Sequence, residues 1–516
     1  MLPTTPSFEQ IALNRVTFGA RDLDVRDVQR TGWPAWVGDQ LNPPPGDDPA
    51  LAQYLKDQTL HIEYEARDYL NMVWPAVNED RPLQYLSISG PAIWKLGNEK
   101  LFRGAFEEQL RPFEEFCSAV CIRNAHSRYQ LREFMADFWL NHFHVSQLKE
   151  VQTRYALIMY DRDVIRPNVF GNFRTMLEAV ATSTAMLKYL DNASSTAEAP
   201  NENYARELME LHTMGRDAYL GKATGADLSA RGFTDEDIIQ AARALSGWTV
   251  RDYTSAENDG VFVYDPARHN AHAGRCLGVD LSPLEGIAQG RKVLDLVASH
   301  PATARYICTK ICRRIFGDPV PAAVLERAVS AWRAHEAAPD QLKRVMQVIL
   351  LDGPEIGHGP QQKVRRPHER VIALARLTDS LIRPHQLWSF MANAVADSPF
   401  CWATPDGRPD DNLFWLNAAI NVTTWNLLSY MTTSTYAEVD YISQTPRAAL
   451  ASPILTVEYW VGRIIGYALS DSAMAALADN LARSAPSYAV DPKGNNVGIG
   501  YHVVSALATT PEFVYR

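Results

Sequence analysis

Cysteine is scarce in this sequence, with six in 516 residues. The closest pairs, Cys117/Cys121 and Cys308/Cys312, are each spaced by four within helical patterns. Zinc ribbons need the tighter Cys-x-x-Cys spacing, so the sequence argues against such a module. We expect the cysteines to be buried and reduced, as is usual in a cytoplasmic protein.

Long hydrophobic runs are also lacking. No stretch approaches the roughly 18 uninterrupted apolar residues that a membrane-spanning helix requires, so no membrane span is expected. Residues 1–8 carry neither the basic run nor the apolar stretch of a signal peptide. The sequence as written therefore predicts a cytoplasmic location, and a periplasmic or secreted one is the alternative if an export signal was removed.

Positive charge is in deficit, since the formal net charge is −10. A general nucleic-acid binder needs a basic surface, so no nucleic-acid partner is expected. Several catalytic motifs are missing as well. The chain has no Gly-x-Ser-x-Gly elbow, no phosphate-binding Gly-rich loop and no His-Glu-x-x-His metal motif.

Apolar residues are plentiful, at 46% of the chain against 21% charged residues, which is typical of a packed globular protein. Helical periodicity dominates, including over residues 51–69, and predicts a mainly α, large multi-helix assembly. Short β-like runs at 248–250 and 261–264 predict one small β-hairpin, at about residues 248–265. Thr234 and Asp237 have the spacing of a capping box and predict the start of a helix before this hairpin.

The length exceeds one ordinary domain core, so we divide the chain into three regions. Residues 1–125 form an N-terminal helical region. Residues 126–320 form a central helical region with the hairpin and the proposed site. Residues 321–516 form a C-terminal helical region.

Residues 201–215, NENYARELMELHTMG, are unusually rich in specific polar side chains. On a regular helix Asn203, Glu207 and Glu210 share one face, beside an apolar one. A functional site is one interpretation. The other is structural, because Glu202, Arg206 and Glu210 are spaced as an i, i+4 ion-pair ladder.

The helix predicted at 127–145 carries a second polar stripe, made of Glu133, Asp137, Asn141 and His144. His142 lies off this stripe if the helix continues. If the helix instead ends near Asn141, His142 and His144 would extend and point the same way, which is a common metal-ligand spacing. The basic residues of the helix that follows His300, including Lys310, are expected to face solvent.

Eight motifs resemble one bacterial family, catalogued as domain of unknown function 1800. They are TFGA at 17–20, FWLNHF at 138–143, DRDVIRP at 161–167, YLDN at 189–192, the 201–215 stretch, ALSGWT at 244–249, HPATAR at 300–305 and TPEF at 510–513. The resemblance covers most of the chain but implies no established reaction. It implies a frequently exported protein, encoded beside a family similar to sulfatases and alkaline phosphatases.

The chain differs from the usual pattern of this family at three positions. Many members have His where this chain has Leu140, and a small residue where it has His144. The family's His-Asp after the hairpin corresponds to His269-Asn270 here. These departures leave the shared ligand set open.

Histidines are the candidate metal ligands, because neutral imidazole is the commonest protein ligand. Together with Glu207 or Glu210 they predict a site for a divalent ion, zinc, iron or manganese. The candidates are His142, His144, His212, His269 and His300. The alternative for each histidine is a helix cap or a hydrogen bond to a buried carbonyl.

Three functions follow from these candidates. The first is a metal-dependent enzyme, hydrolytic or oxidative, acting on an extended polar substrate such as a glycan. The second is a metal-free glycan hydrolase or lyase. The third is a non-enzymatic binding or scaffold partner of a sulfatase-like protein. The candidate catalytic residues are Asn141, Tyr204, Arg206, Glu207 and Glu210.

Overall fold

The computed structural model describes residues 2–69, 72–96, 105–223, 228–252, 257–359, 363–384, 397–433, 439–484 and 497–516. Helices dominate these ranges, which confirms the mainly α fold. None of the helices described there is long and apolar enough to cross a membrane.

The N-terminal region begins with four short helices and continues, after two antiparallel strand pairs, into one further short helix and a long one. The helices are α1 (Phe8–Val16), α2 (Asp22–Thr31), α3 (Trp33–Gln40), α4 (Pro49–Lys56), α5 (Gly90–Lys95) and α6 (Phe106–His126). The strands of the hairpins are β1 (Thr59–Tyr64), β2 (Arg67–Tyr69), β3 (Met72–Trp74) and β4 (Val77–Pro82).

The helix expected over residues 51–69 is therefore wrong beyond Lys56. Strand β1 pairs antiparallel with β4, from Thr59 opposite Pro82 to Tyr64 opposite Val77. Leu60, Ile62 and Tyr64 of β1 are buried and the residues between them are more exposed. This period of two is the signature of a half-buried strand.

The central region contains eight helices in the described residues. They are α7 (Gln130–His142), α8 (Val151–Met159), α9 (Phe173–Ala181), α10 (Thr184–Tyr189), α11 (Glu202–Glu207), α12 (Asp235–Ala244), α13 (Ile287–Ser299) and α14 (Pro301–Phe316). Two π-helical segments, Tyr160–Ile165 and Leu208–Thr213, directly follow α8 and α11.

The predicted hairpin in this region is confirmed, since β5 (Trp248–Val250) pairs antiparallel with β6 (Phe262–Tyr264). It is not the only one. A further short pair, β7 (Arg275–Cys276) and β8 (Val279–Asp280), follows it. Sequence also located the start of α12 correctly, because Thr234 and Asp237 form a capping box there.

The C-terminal region is again helical where it is described. Its helices are α15 (Ala322–Ala334), α16 (Gln341–Leu351), α17 (Pro367–Leu377), α18 (Asn412–Trp415), α19 (Ala418–Thr433), α20 (Tyr441–Gln444), α21 (Pro453–Ile464), α22 (Asp471–Ser484), α23 (Ser505–Leu507) and α24 (Pro511–Val514). A third π segment, Gly500–Val504, precedes α23.

One large hydrophobic core connects the three predicted regions, reaching from Ala12 in α1 to Phe513 in α24. A small satellite cluster lies under strand β1. Five of the six cysteines are buried in the core region and Cys401 is half-buried; all six are free thiols. The division into three regions stays a prediction.

Candidate functional site

The 201–215 stretch is not one regular helix. Asn201 caps α11 by accepting a hydrogen bond from the backbone N of Tyr204, at 2.9 Å. After Glu207 the chain enters the π segment Leu208–Thr213, and the backbone N atoms of both Met214 and Gly215 bond to the carbonyl of Met209. The predicted regular helix is therefore wrong in its second half. Such π segments occur frequently at functional sites.

Glu207 and Glu210 lie at the junction of α11 and the π segment and are partly exposed. Only half of the predicted ladder exists in this geometry. Arg206 Nη1 lies 3.5 Å from Glu210 Oε1, but Arg206 also approaches Asp235, at 3.8 Å, and Glu202 is exposed. Burial raises the pKa of Glu207, and the charge of Glu210 raises it further.

Lys310 of α14 contacts His142 at the end of α7. Its Nζ lies 3.0 Å from His142 Nδ1, while His142 Nε2 lies 3.1 Å from the carbonyl oxygen of His212. Because a carbonyl oxygen only accepts, Nε2 carries the imidazole proton and Nδ1 accepts from Lys310. His212 is buried beside this pair, and its Nε2 has no hydrogen-bond partner in the described part of the chain.

The pKa values of all three groups are shifted downwards. Burial lowers the pKa of Lys310 to about 8, and the charges of Asp410 and Asp406 oppose this shift. Burial lowers the pKa of His212 to about 3, and the charge of Lys310 acts in the same direction. Burial and then Lys310 hold the pKa of His142 well below its usual range. Both imidazoles are therefore neutral at pH 7.

The loop 398–411 brings an exposed carboxylate, Asp406, into the electrostatic surroundings of these groups. Burial is the main cause of the raised pKa values of Tyr189 and Glu207, and the negative charge of Asp406 adds to both shifts. It opposes the lowering of the pKa of Lys310 and of His144. The loop therefore faces both the carboxylate pair and the lysine.

Asn141 fixes this loop. Its Oδ1 accepts from the backbone N of Arg408 at 2.8 Å, and its Nδ2 donates to the carbonyl of Arg408 at 3.1 Å. Gly407 adopts a φ of 73°, and a Cβ there would lie 2.3 Å from the carbonyl oxygen of Asn141. His144 Nε2 also donates to the carbonyl of Trp402, at 2.9 Å. Asn141 and His144 thus position the loop.

Tyr306 forms one wall beside Lys310, with the lysine Nζ 5.3 Å from the centre of its ring. Gly215 permits this close packing, since its φ is 88° and a Cβ would lie 2.7 Å from the Tyr306 ring. Arg216, the next residue, reaches Glu210 at 3.7 Å. The end of the π segment therefore connects the carboxylate pair to the lysine wall.

The remaining predicted site residues lie elsewhere or are fully engaged. His269 contacts the carbonyl of Ser246 at 3.0 Å and Gln289 Oε1 at 3.1 Å. His300 caps α14 by accepting from Ala302 N, and it donates to the carbonyl of Ser229. Tyr204 is buried in the core.

The five candidate metal ligands therefore do not form one cluster. Within the residues that the structure describes, no group of three or more His, Cys, Asp or Glu side chains could hold a metal ion. His142 and His144 are not alternate residues of an extended segment either, because α7 continues through His142. His142 and His212 are the two candidate ligands that lie side by side, with ring centres 6.5 Å apart.

The polar stripe of α7 is the centre of a buried charge network. The carboxylate of Asp137 forms ion pairs with Arg314, Arg366 and Arg408. The distances from its oxygens to the arginine Nη2 atoms are 3.0, 2.5 and 2.7 Å. These arginines and the nearby Glu369 are almost fully buried. Asp137 of this stripe therefore binds arginines from three other segments.

Sequence reasoning missed Lys310 and Asp406. The expectation that Lys310 faces solvent is wrong, since it packs against His142. Its partner is 168 positions distant in the chain, and no local pattern records such a contact. For Asp406 a signal existed, because the Pro- and Asp-rich loop composition is typical of a cleft border.

Comparison with known proteins places the chain in a family without an assigned function. The model of the family described as protein of unknown function (DUF1800) matches residues 11–515, nearly the whole chain. No curated protein and no solved structure matches it. With its mainly α fold and motifs such as 138–143 and 201–215 in one neighbourhood, the chain belongs to the DUF1800 family.

Proposed function

We propose that this protein is a metal-free acid–base enzyme. It cleaves an extended polar substrate, such as a glycan, by hydrolysis or by elimination. Lys310 is the base and Glu207 the acid. The observation that carries the proposal is the contact of Lys310 with a neutral His142, together with the lowered pKa of the lysine. Enzymes commonly separate the pKa values of two groups in this way to obtain an acid and a base near neutral pH.

The contacts of these side chains support the proposed roles. His142 donates through Nε2 and accepts through Nδ1, so it orients the amine without competing for its lone pair. Neutral Lys310 then takes a proton from substrate or water. Glu207, whose pKa is raised, gives its proton to the leaving oxygen. Arg206 and Arg216 flank Glu210 and suit a polar or anionic substrate group.

The test is a substrate panel of neutral and anionic polysaccharides, with release of new chain ends as the measurement. We expect Lys310→Met and Glu207→Gln each to lose at least about 100-fold in kcat. Because the reactive form has Lys310 neutral and Glu207 protonated, the pH profile of the wild type should be bell-shaped and should fall above about pH 8. Arg305→Gln, an exposed site on the same helix, is the matched control.

Full activity in Lys310→Met would contradict the proposal. Correct folding of both variants is checked by circular dichroism. Binding of a protein partner by variants that have no activity in any assay would favour the scaffold function instead. The partly exposed carboxylate pair argues against that alternative, which requires an internally satisfied cluster.

A divalent ion is the second candidate, because His212 Nε2 is buried without a hydrogen-bond partner. His212 and His142 would be the residues nearest to such an ion. Elemental analysis of the purified protein tests this candidate. Stoichiometric zinc, iron or manganese that disappears in His212→Gln would support it, and activity that survives a chelator would oppose it.

A further inference from the structure

A large cleft lies outside the site described above and shares none of its residues. Its volume is about 910 Å³, and it is formed by the loop 41–47, α4, residues 83–87 and the turn 166–171. Pockets for small molecules have volumes of this size. Among the residues that the structure describes, six cationic side chains and a single carboxylate, Asp47, line the cleft. The cations are Lys56, Arg123, Arg132, Arg162, Arg166 and Lys343.

Ion pairs neutralise only part of this charge. Arg123 pairs with Asp47 at 2.9 Å, and Arg162 pairs with Asp163 at 2.7 Å. Arg166 contacts two further carboxylates, Glu133 and Asp161, at 2.7 and 2.8 Å. Four carboxylates therefore face six cations, in a protein whose overall charge is −10.

Arg132 is the most informative of these cations, because its side chain is only 5% exposed. Its Nε contacts Glu133 at 3.1 Å, and its Nη1 donates to the carbonyls of Pro44 and Gly46. Its Nη2 is buried without a hydrogen-bond acceptor among the described residues, and Oδ1 of Asp47 lies 3.9 Å from it. A buried guanidinium nitrogen without an acceptor is costly and suits an anionic ligand.

Arg162 is held equally firmly. Its Nη1 donates to the carbonyls of Leu86 and Ile88, at 3.1 and 2.7 Å. Two guanidinium groups are thus fixed before any ligand arrives, which reduces the entropy lost on binding. The rest of the cleft is largely apolar, with walls formed by Leu55, Leu83, Leu86, Val169 and Phe170.

We propose that this cleft binds an anionic ligand that carries an oxyanion group on an apolar body. The Nη2 of Arg132 suits an oxygen of a phosphate, sulfate or carboxylate group, while the other guanidinium donors of Arg132 and Arg162 hold the two side chains in place. Lys56 and Lys343, at the exposed rim, attract the anionic ligand at long range. The apolar walls contact the apolar part of the ligand. Phosphate, sulfate and carboxylate ligands all present an oxyanion to the cleft. Probes that each carry one of these groups show which group is bound.

The experiment is isothermal titration calorimetry on the full chain with phenyl phosphate, phenyl sulfate and benzoate. Inorganic phosphate, which lacks the apolar body, and benzyl alcohol, which lacks the charge, are the reference probes. We expect saturable binding of at least one aryl anion. Inorganic phosphate should bind about tenfold or more weakly, since burial of a phenyl ring contributes about 1.5 to 3 kcal/mol.

The decisive variant is the double substitution Lys56→Gln/Lys343→Gln, which leaves the buried arginines in place and should still fold. It should weaken binding at least about fivefold by removing two cations from the rim. Lys149→Gln/Lys222→Gln removes the same charge from outside the cleft and should leave the affinity within about twofold.

No saturable heat with any aryl anion at about 10 mM, well above a millimolar Kd, would overturn the proposal. Equal weakening by both double variants would overturn it as well, because the effect would then reflect net charge alone. The result does not depend on the acid–base proposal, since no residue of that site is changed.

Discussion

His142 and His212 are both buried and neutral. Their burial in the neutral form lowers the free energy of unfolding at acidic pH. For each, the folded pKa lies below the usual value of about 6.5, so the unfolded state binds more protons between the two values. The free energy of unfolding therefore falls as the pH drops from about 6.5 towards 3, the pKa of His212. His144, His126 and His368, each with a pKa lowered by burial to about 4, add to the same loss.

His212→Gln tests this account at one residue. We expect the slope of unfolding free energy against pH to become shallower by about 1.4 kcal/mol per pH unit between pH 5.5 and 4, the contribution of one proton. Urea denaturation at several pH values measures the slope. The exposed His272→Gln should leave it unchanged. An unaltered slope in His212→Gln would show that this imidazole is protonated in the native state.

Among single residues, sequence reasoning was strongest where a local pattern existed. It selected Glu207, Glu210, Asn141, His142 and His212, and the structure brings these into one neighbourhood with Lys310 and Asp406. It could not separate a catalytic candidate from a positioning one. Asn141 and His144 hold the 398–411 loop through its backbone, a role that depends on a partner more than 250 positions away.

Among the elements, strand β1 shows how two periodicities compete. The stretch 51–69 contains enough apolar residues for a helical interpretation, yet the six residues of β1 alternate between buried and exposed positions. A strand forms here rather than a helix because β4 pairs with β1 and residues of the satellite cluster cover one face of β1.

Substitutions on the two faces of β1 test this arrangement. Ile62→Ala removes a side chain that is 2% exposed and should lower the free energy of unfolding by about 2 to 4 kcal/mol. Glu63→Ala, on the opposite face, should change it by less than about 0.5 kcal/mol. Chemical denaturation followed by circular dichroism measures both. Equal losses at the two positions would contradict the alternating register.

For the molecule as a whole, the buried charges around Asp137 join segments that the sequence places in different regions. Arg314 belongs to α14, Arg366 precedes α17, and Arg408 lies in the 398–411 loop. Arg516 extends the network by donating to the carbonyls of Arg15 and Arg314, at 2.7 and 2.9 Å. Residues from the beginning, middle and end of the chain therefore meet at one point.

Asp137→Asn should accordingly destabilise the whole protein. Three buried guanidinium groups lose a shared charge, and such losses typically amount to about 3 to 5 kcal/mol. Hydrogen exchange followed by mass spectrometry should show faster exchange in α7, α14 and α17 together. Glu326→Gln, which removes an exposed partner of Arg305, should leave exchange unchanged. Faster exchange in α7 and α14 without α17 would indicate that the central and C-terminal regions are independent.

The sequence by itself determined the helical fold class, the β5–β6 hairpin, the start of α12 and the family. Each of these rests on interactions between near neighbours, such as apolar periodicity, caps and contiguous motifs. Only the tertiary structure decided that Lys310 contacts His142, that Asp406 faces the carboxylate pair and that six cations converge on one cleft. These features arise from burial and charge supplied by distant segments, and they set the pKa values on which the proposed chemistry depends.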